Sequence, residues 1–418
     1  MRNLLAASAL FLSALTLHAM EPVRDTIDHR KFSDELGFFQ KAERELNDPR
    51  FMFHEDDFGM DLGIGGTVGV MGSYTYEGAV LASYFAPANI DVPSDFSNSF
   101  LAKLSGCELH AKARMSIKNH KIVAFLKVSG DATKIAVEQA YISLDGFSAG
   151  LIPTFFSDLE AGVHMEGCCA PQADLRHPLF GYTLKKNGWE FAVSAEEASV
   201  NVDSYEFVGT GSNYQPVPDI ALHVKTHWNW GHVQLGAIFR DLTYWARPDG
   251  TVISSEGKNG HCFGWGLALS GNIKPSEKLK FSYVFEGGSG ISKYMHIFSP
   301  LDLEMGLCKY QEDGYSVLKP IPLFSGALMA QYSWNKYLTS SAVLQYAKRF
   351  ELDGVSADDS VSHLILGAVN LFWNIGDFAD LGIEYMYGRR NEYPDSSLSP
   401  WQPYGNAHNL SVVMKYMF

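Results

Sequence analysis

The sequence predicts an all-β fold: a transmembrane antiparallel β-barrel of about 16 strands, with long extracellular loops. Three observations carry that expectation. The last eleven residues, His408 to Phe418, put Leu410, Val412, Met414, Tyr416 and Phe418 on one side and Asn409, Ser411 and Lys415 on the other. That is the period of two of a strand with one apolar face, ending on an aromatic. The opposite end begins MRNLLAASALFLSALTLHA: a cation at Arg2, an apolar run from Leu4 to Leu17 and the small Ala19 at the cut. Residues 1–19 therefore read as a cleaved secretory signal peptide. Between the two ends, alternating runs are joined in turn by tight turns and by long polar segments.

Residues 20–58 form a separate N-terminal segment, expected on the periplasmic side. Within it, Phe32 to Asn47 is charged and carries Leu36, Phe39 and Ala42 at helical spacing, so it reads either as a short helix or as an unstructured linker. The barrel is expected over 59–418. Its second strand alternates Leu109, Ala111, Ala113 and Met115 with His110, Lys112 and Arg114. After a turn at Asn119-His120, Ile122, Ala124, Leu126 and Val128 oppose Lys121, Lys127 and Ser129. Ile220 to Trp228 and Val233 to Phe239 repeat the pattern around Asn229-Trp230-Gly231. Later hairpins turn at Lys274–Glu277, Asn335-Lys336 and Asn374–Ala379. The strands are expected to begin near 60, 104, 121, 134, 148, 178, 189, 220, 232, 261, 278, 322, 337, 361, 380 and 408. Short turns and long connections then alternate, with one exception near Ala132-Thr133. That parity puts both barrel termini on the periplasmic side. Trp228, Trp230, Trp334, Tyr337, Trp373, Tyr416 and Phe418 fall at the turn ends, and Tyr244, Trp245 and Phe350 at the loop ends, as two aromatic belts require.

The net charge of −14 argues against nucleic acid as a partner. Five cysteines, Cys107, Cys168, Cys169, Cys262 and Cys308, leave one over from any pairing, and no CxxC or His-rich spacing points to zinc. No GxSxG, HExxH, P-loop or GxGxxG in a βα context is present, so no enzyme and no cofactor are expected.

If the apolar set meets lipid, its neighbours wet a lumen. Inward positions then include His110, Lys112, Arg114, Lys127, His223, Lys225, Gln234 and Arg240, with the carboxylates Glu108, Asp131, Glu138, Glu286 and Glu384. A basic stretch of wall would concentrate anions; alternatively, those cations are merely solvated or paired with loop acids. The connection at 155–177 is expected to fold inward and narrow the channel. Asp158, Glu160, Glu166 and Asp174 could there face Lys112, Arg114, Lys127 and Arg176 across a constriction. The other reading leaves it as an exposed loop.

Lys112-Ala113-Arg114-Met115-Ser116, Ala140-Tyr141 leading into Gly150-Leu151-Ile152, Phe155-Phe156-Ser157-Asp158 and Arg176-His177-Pro178 before Tyr182-Thr183 stand in the first half. Asn370-Leu371-Phe372-Trp373 and the run from Leu381 to Arg390 stand near the end. Over 98–198 and 361–418 these residues resemble the DcaP-like trimeric porins of Gram-negative outer membranes. The resemblance implies a homotrimer in contact with outer-membrane lipid and lipopolysaccharide. It also implies passive diffusion of small hydrophilic, often anionic solutes such as dicarboxylates, with family arginines mapping onto Arg114 and Arg176. The chain departs from that family in lacking a long N-terminal coiled coil and a Gly-Gln pair near the start of the long loop. A non-conducting structural or adhesion barrel is the alternative.

Overall fold

The computed structural model describes residues 50–418 apart from 56–57, 78–84, 95–97, 131–133, 168–173, 200–214, 245–259, 299, 302–304, 310–315, 353–359, 376–377 and 394–402. The signal peptide and the 32–47 segment therefore lie outside the described residues. The strands run in chain order as β1 (Arg50–Glu55), β2 (Phe58–Tyr76), β3 (Ser99–Leu104), β4 (Cys107–Ile117), β5 (His120–Gly130), β6 (Ile135–Leu144) and β7 (Phe147–Pro153). Then come β8 (Arg176–Lys186), β9 (Trp189–Glu196), β10 (Asp219–Trp228), β11 (Gly231–Tyr244), β12 (Gly260–Ser276) and β13 (Leu279–Ser289). The chain continues with β14 (Met305–Lys309), β15 (Ser316–Pro320), β16 (Pro322–Ser333), β17 (Leu338–Arg349), β18 (Val361–Ile375), β19 (Ala379–Glu392) and β20 (Tyr404–Met417).

Each strand pairs antiparallel with its neighbours, and β20 returns to β2 in the register Thr67↔Met417 to Tyr76↔His408. β3 and β4 both pair with β2 and act as one stave broken at Ser105-Gly106. β14 and β15 form a separate hairpin within one connection. The closed ring accordingly has 16 staves among the described residues. The expected starts match these strands closely; those at 104 and 408 move most. The first moves because the break splits its strand, and the second because β20 begins at Tyr404. Tight turns close one end: Asn187-Gly188 and Asp145-Gly146 both have positive φ at their two residues, the backbone of a two-residue hairpin turn. The long connections lie at the other end.

β2 overshoots β20 at the turn end. β20 runs to Met417, and Phe418 exchanges both backbone hydrogen bonds with Gly66. β1 covers the bare edge, pairing Arg50↔Gly63 through Glu55↔Phe58. The end of the 20–58 segment is thus a strand of the sheet, because an exposed strand edge invites foreign pairing.

The outer face is apolar. Leu235, Leu344 and Val369 are more than half exposed, while their neighbours Gln234, Gln345 and Asn370 point inward and are buried. Trp228, Trp230, Trp334, Tyr337, Trp373, Tyr416 and Phe418 stand exposed in a girdle at the turn end. Parity breaks near the small residues of β6: Lys127 pairs with Gln139 but Val128 with Val137, a β-bulge that leaves Glu138 unpaired in register.

Three connections fold back against the inner wall and supply its apolar core. Phe85, Ala86 and Ile90 pack with Leu366 and Met386. Phe155 and Phe156 pack with Ile291, Tyr294, Met295 and Phe298 over Ile238, Ala268 and Leu364. The wall makes room with glycine: a Cβ on Gly236 would lie 2.7 Å from the Phe156 carbonyl oxygen, and one on Gly388 2.8 Å from Ile90.

Candidate functional site: the lumen and its inward loop

The connection after β7 runs down the inner wall from β9 around to β20, held by one polar contact after another. Thr154 Oγ1 and the Phe155 amide donate to Glu196 at 2.8 and 2.9 Å, and His223 Nδ1 lies 2.7 Å from the Phe155 carbonyl oxygen. Asp158 is wholly buried and meets Lys225 Nζ at 2.8 Å, His232 Nε2 at 2.7 Å and Ser270 Oγ at 2.9 Å. Glu160 reaches Lys225 at 3.4 Å and His227 at 3.3 Å. Lys280 donates to the Gly162 carbonyl oxygen at 2.6 Å. Further on, the amides of Glu166 and Gly167 donate to the Glu384 carboxylate at 3.0 and 2.6 Å, and Asn370 donates to the His164 carbonyl oxygen at 2.7 Å. Lys415 meets Glu166 at 2.6 Å.

A buried carboxylate is costly unless its oxygens are fully bonded. Burial alone pushes the Asp158 carboxyl up, but the Lys225 charge and the His232 contact outweigh it and hold the group far below the usual range. Against the same burial, His227 and Lys225 lower the Glu160 carboxyl to about 2, and His164 and Lys415 lower Glu166 to about 2. All three are therefore charged at neutral pH. The connection is a pinned element, lying against the wall as an inward loop.

The positions expected to line the lumen divide into two sets. His110, Lys112, Arg114 and Lys127 sit on β4 and β5 and keep part of their surface open. Lys127 pairs with Glu108 at 2.9 Å, Arg114 lies 3.7 Å from Asp61, and Lys112 stands 6.0 Å above the Phe125 ring. Arg176 is bridged by Glu138 and Asp174. Lys225 and Arg240 also point inward, yet the inward connections cover them completely. Arg240 meets Asp219 at 3.0 Å beneath Tyr294. Asp158 and Glu160 meet Lys225, and Glu166 meets Lys415, so the loop acids pair with the wall they lie on. Glu286 is buried on β13 with neither carboxyl oxygen hydrogen-bonded among the described residues.

Sequence reasoning did not single out His227, His232, Lys280, Asn370 or Lys415 as site residues. The strand alternation gives the inward parity of His227 and His232, but only the folded loop brings Glu160 to them, more than 60 residues away in the chain.

The Porin subfamily model matches residues 108–247, the span holding the basic strands and the inward loop. None of the curated protein sequences matches the chain. Among solved structures, the outer membrane channel DcaP of Acinetobacter baumannii is similar at 17% identity and a TM-score of 0.67, over 86% of this chain and 97% of that one. The anion-selective porin from Comamonas acidovorans is similar at 12% identity and a TM-score of 0.56, over 86% of this chain and 100% of that one. OmpF of Salmonella typhi is similar at 10% identity and a TM-score of 0.51, over 88% and 100%. The fold is that of the outer-membrane porins.

Proposed function

We propose that the chain is an outer-membrane porin, exported through its cleaved signal peptide, that lets small hydrophilic solutes diffuse passively through a water-filled lumen. One observation carries the reading: the inward loop lies on the β9–β20 side, while charged side chains on the β2–β8 side keep part of their surface open. Arg114 and Asp61 are about a quarter exposed, and Glu108 and Glu138 are 29% exposed, although all of them point into a closed barrel. Polar side chains facing inward and apolar ones facing outward are the division a channel in lipid needs. No reaction is involved; the wall and loop select by size and charge.

The preference is for anions, dicarboxylates among them. Lys103, Lys112, Arg114, Lys127 and Arg176 stand on this side against Asp61, Glu108, Glu138 and Asp174. Salt bridges neutralise part of the set, so the selectivity is mild. The likeness in fold to a porin described as anion-selective supports the same sign. A DcaP-like homotrimer in lipopolysaccharide-bearing membrane is part of the proposal, supported by the shared motifs; sedimentation of the detergent-purified protein at three chains per particle tests it.

Planar-bilayer recording tests the function. Stepwise conductance, with a reversal potential in a salt gradient that favours the anion, is the expected result. Lys112→Ala with Arg114→Ala shifts that potential toward the cation. An unchanged potential rejects these two residues as the selectivity wall, and no conductance in a correctly folded barrel leaves the non-conducting structural barrel as the answer.

A further inference from the structure

We propose that Glu160, His227 and His232 form a binding site for a first-row divalent transition cation of the Zn2+ type, which clasps the inward loop to the barrel wall. His227 and His232 are direct cross-strand partners in the β10–β11 hairpin, with ring centroids 5.4 Å apart on the inner face. Glu160 is brought over them by the loop. One ligand atom from each of the three lies within 4.8 Å of the others. The Glu160 Oε2 to His227 Nε2 separation is already 3.3 Å. Two ligands on one tetrahedral zinc stand about 3.3 Å apart, given metal–ligand bonds of about 2.0–2.1 Å. Only His232 has to close in.

The electrostatics suit a cation. The contact group holds two carboxylates, Asp158 and Glu160, against the Lys225 ammonium, which sits nearer Asp158 at 2.8 Å than Glu160 at 3.4 Å. Lys225 touches Glu160 through Oε1 and leaves Oε2 to His227. Lys280, the next cation, is turned onto the carbonyl oxygens of Glu160 and Gly162. The ring of His232 is oriented from both sides, with Nε2 2.7 Å from Asp158 and Nδ1 2.8 Å from the Asn272 side-chain amide. The contacts fit the tautomer with its proton on Nε2, donating to the Asp158 carboxylate, so Nδ1 carries the lone pair that would take the metal in place of its contact with the Asn272 amide. His227 is a third exposed, which gives an ion a way in and leaves a coordination position for water. Two imidazoles and one carboxylate favour Zn2+, Ni2+ or Cu2+ over Mg2+ or Ca2+.

The test is titration calorimetry with Zn2+ on the full, tag-free, chelator-stripped protein in detergent. One ion per chain is expected, not displaced by excess Mg2+. His227→Ala and Glu160→Gln each weaken binding at least tenfold, while His120→Ala, at an exposed turn, leaves it unchanged. Co2+ added to the wild-type chain should show the visible absorption of a four- or five-coordinate site, and His227→Ala should abolish it. No saturable binding, equal displacement by Mg2+, or the same affinity in both variants overturns the proposal. The readout is binding alone, so its failure leaves the channel reading untouched, and a silent bilayer leaves this one untouched.

Discussion

Lys225 shows how one side chain governs the loop. It has no exposed surface and serves both Asp158 and Glu160. Lys225→Met would leave two carboxylates inside the barrel without their ammonium, at a cost of about 3–5 kcal/mol. The staves do not depend on it, so the barrel should fold while the loop detaches. Noisier and larger single-channel currents, with new protease cleavage between Phe155 and Gly167, are the expected outcome. Acid should act in the same direction. Glu160 and Glu166 ionise at about 2 in place of the ordinary 4.5. A lowered carboxyl pKa stabilises the docked loop fully above about pH 4.5, and that stabilisation disappears as pH falls through about 2. Each group accounts for something on the order of 3 kcal/mol. Pepsin should therefore spare the loop near the upper end of that window and cut it near the lower end; cleavage indifferent to pH across the window would contradict the docking. Asp158, Glu160 and Glu166 are legible in the sequence as loop acids. Their pairings are not: strand alternation turns Lys225 and Lys415 inward, but both stand far along the chain and nothing local says which acid each will meet.

Among the elements, strands are the most legible part. A half-buried strand writes its two environments in alternate residues, and a closed barrel requires this of every stave. The alternation fails where geometry departs from the simple ladder. The break between β3 and β4, the bulge between β5 and β6 and the β1 arm each answer a local pairing need. Gly150 marks one such place: its φ of +137 suits glycine, and a Cβ there would lie 2.2 Å from the Ala140 carbonyl oxygen. Gly150→Ala should pull β7 away from β6 just ahead of the inward loop. The expected result is a lower temperature for the shift from folded to unfolded mobility in gel electrophoresis, by several degrees. The same substitution at Gly367, where a Cβ meets nothing within 4 Å, should leave that temperature unchanged.

At the scale of the whole molecule the barrel divides two solvents, and substitutions should divide the same way. Leu344 faces outward on β17, 60% exposed. Leu344→Arg should cost about 2–4 kcal/mol if it lies near the bilayer midplane, read as a lower denaturant midpoint in lipid vesicles. Lys112→Ala, on the inner wall, should move that midpoint far less while altering ion selectivity. The sequence by itself determined the number of staves, their order and their two faces, because each strand must satisfy a bilayer on one side and polar surroundings on the other. It also determined which end has tight turns, since loop length is written directly in the chain. Only the tertiary structure decided which inward cations stay open and which are covered. Lys112 and Lys225 carry the same charge at the same parity; the path of one loop, fixed by contacts more than 200 residues apart, separates their roles.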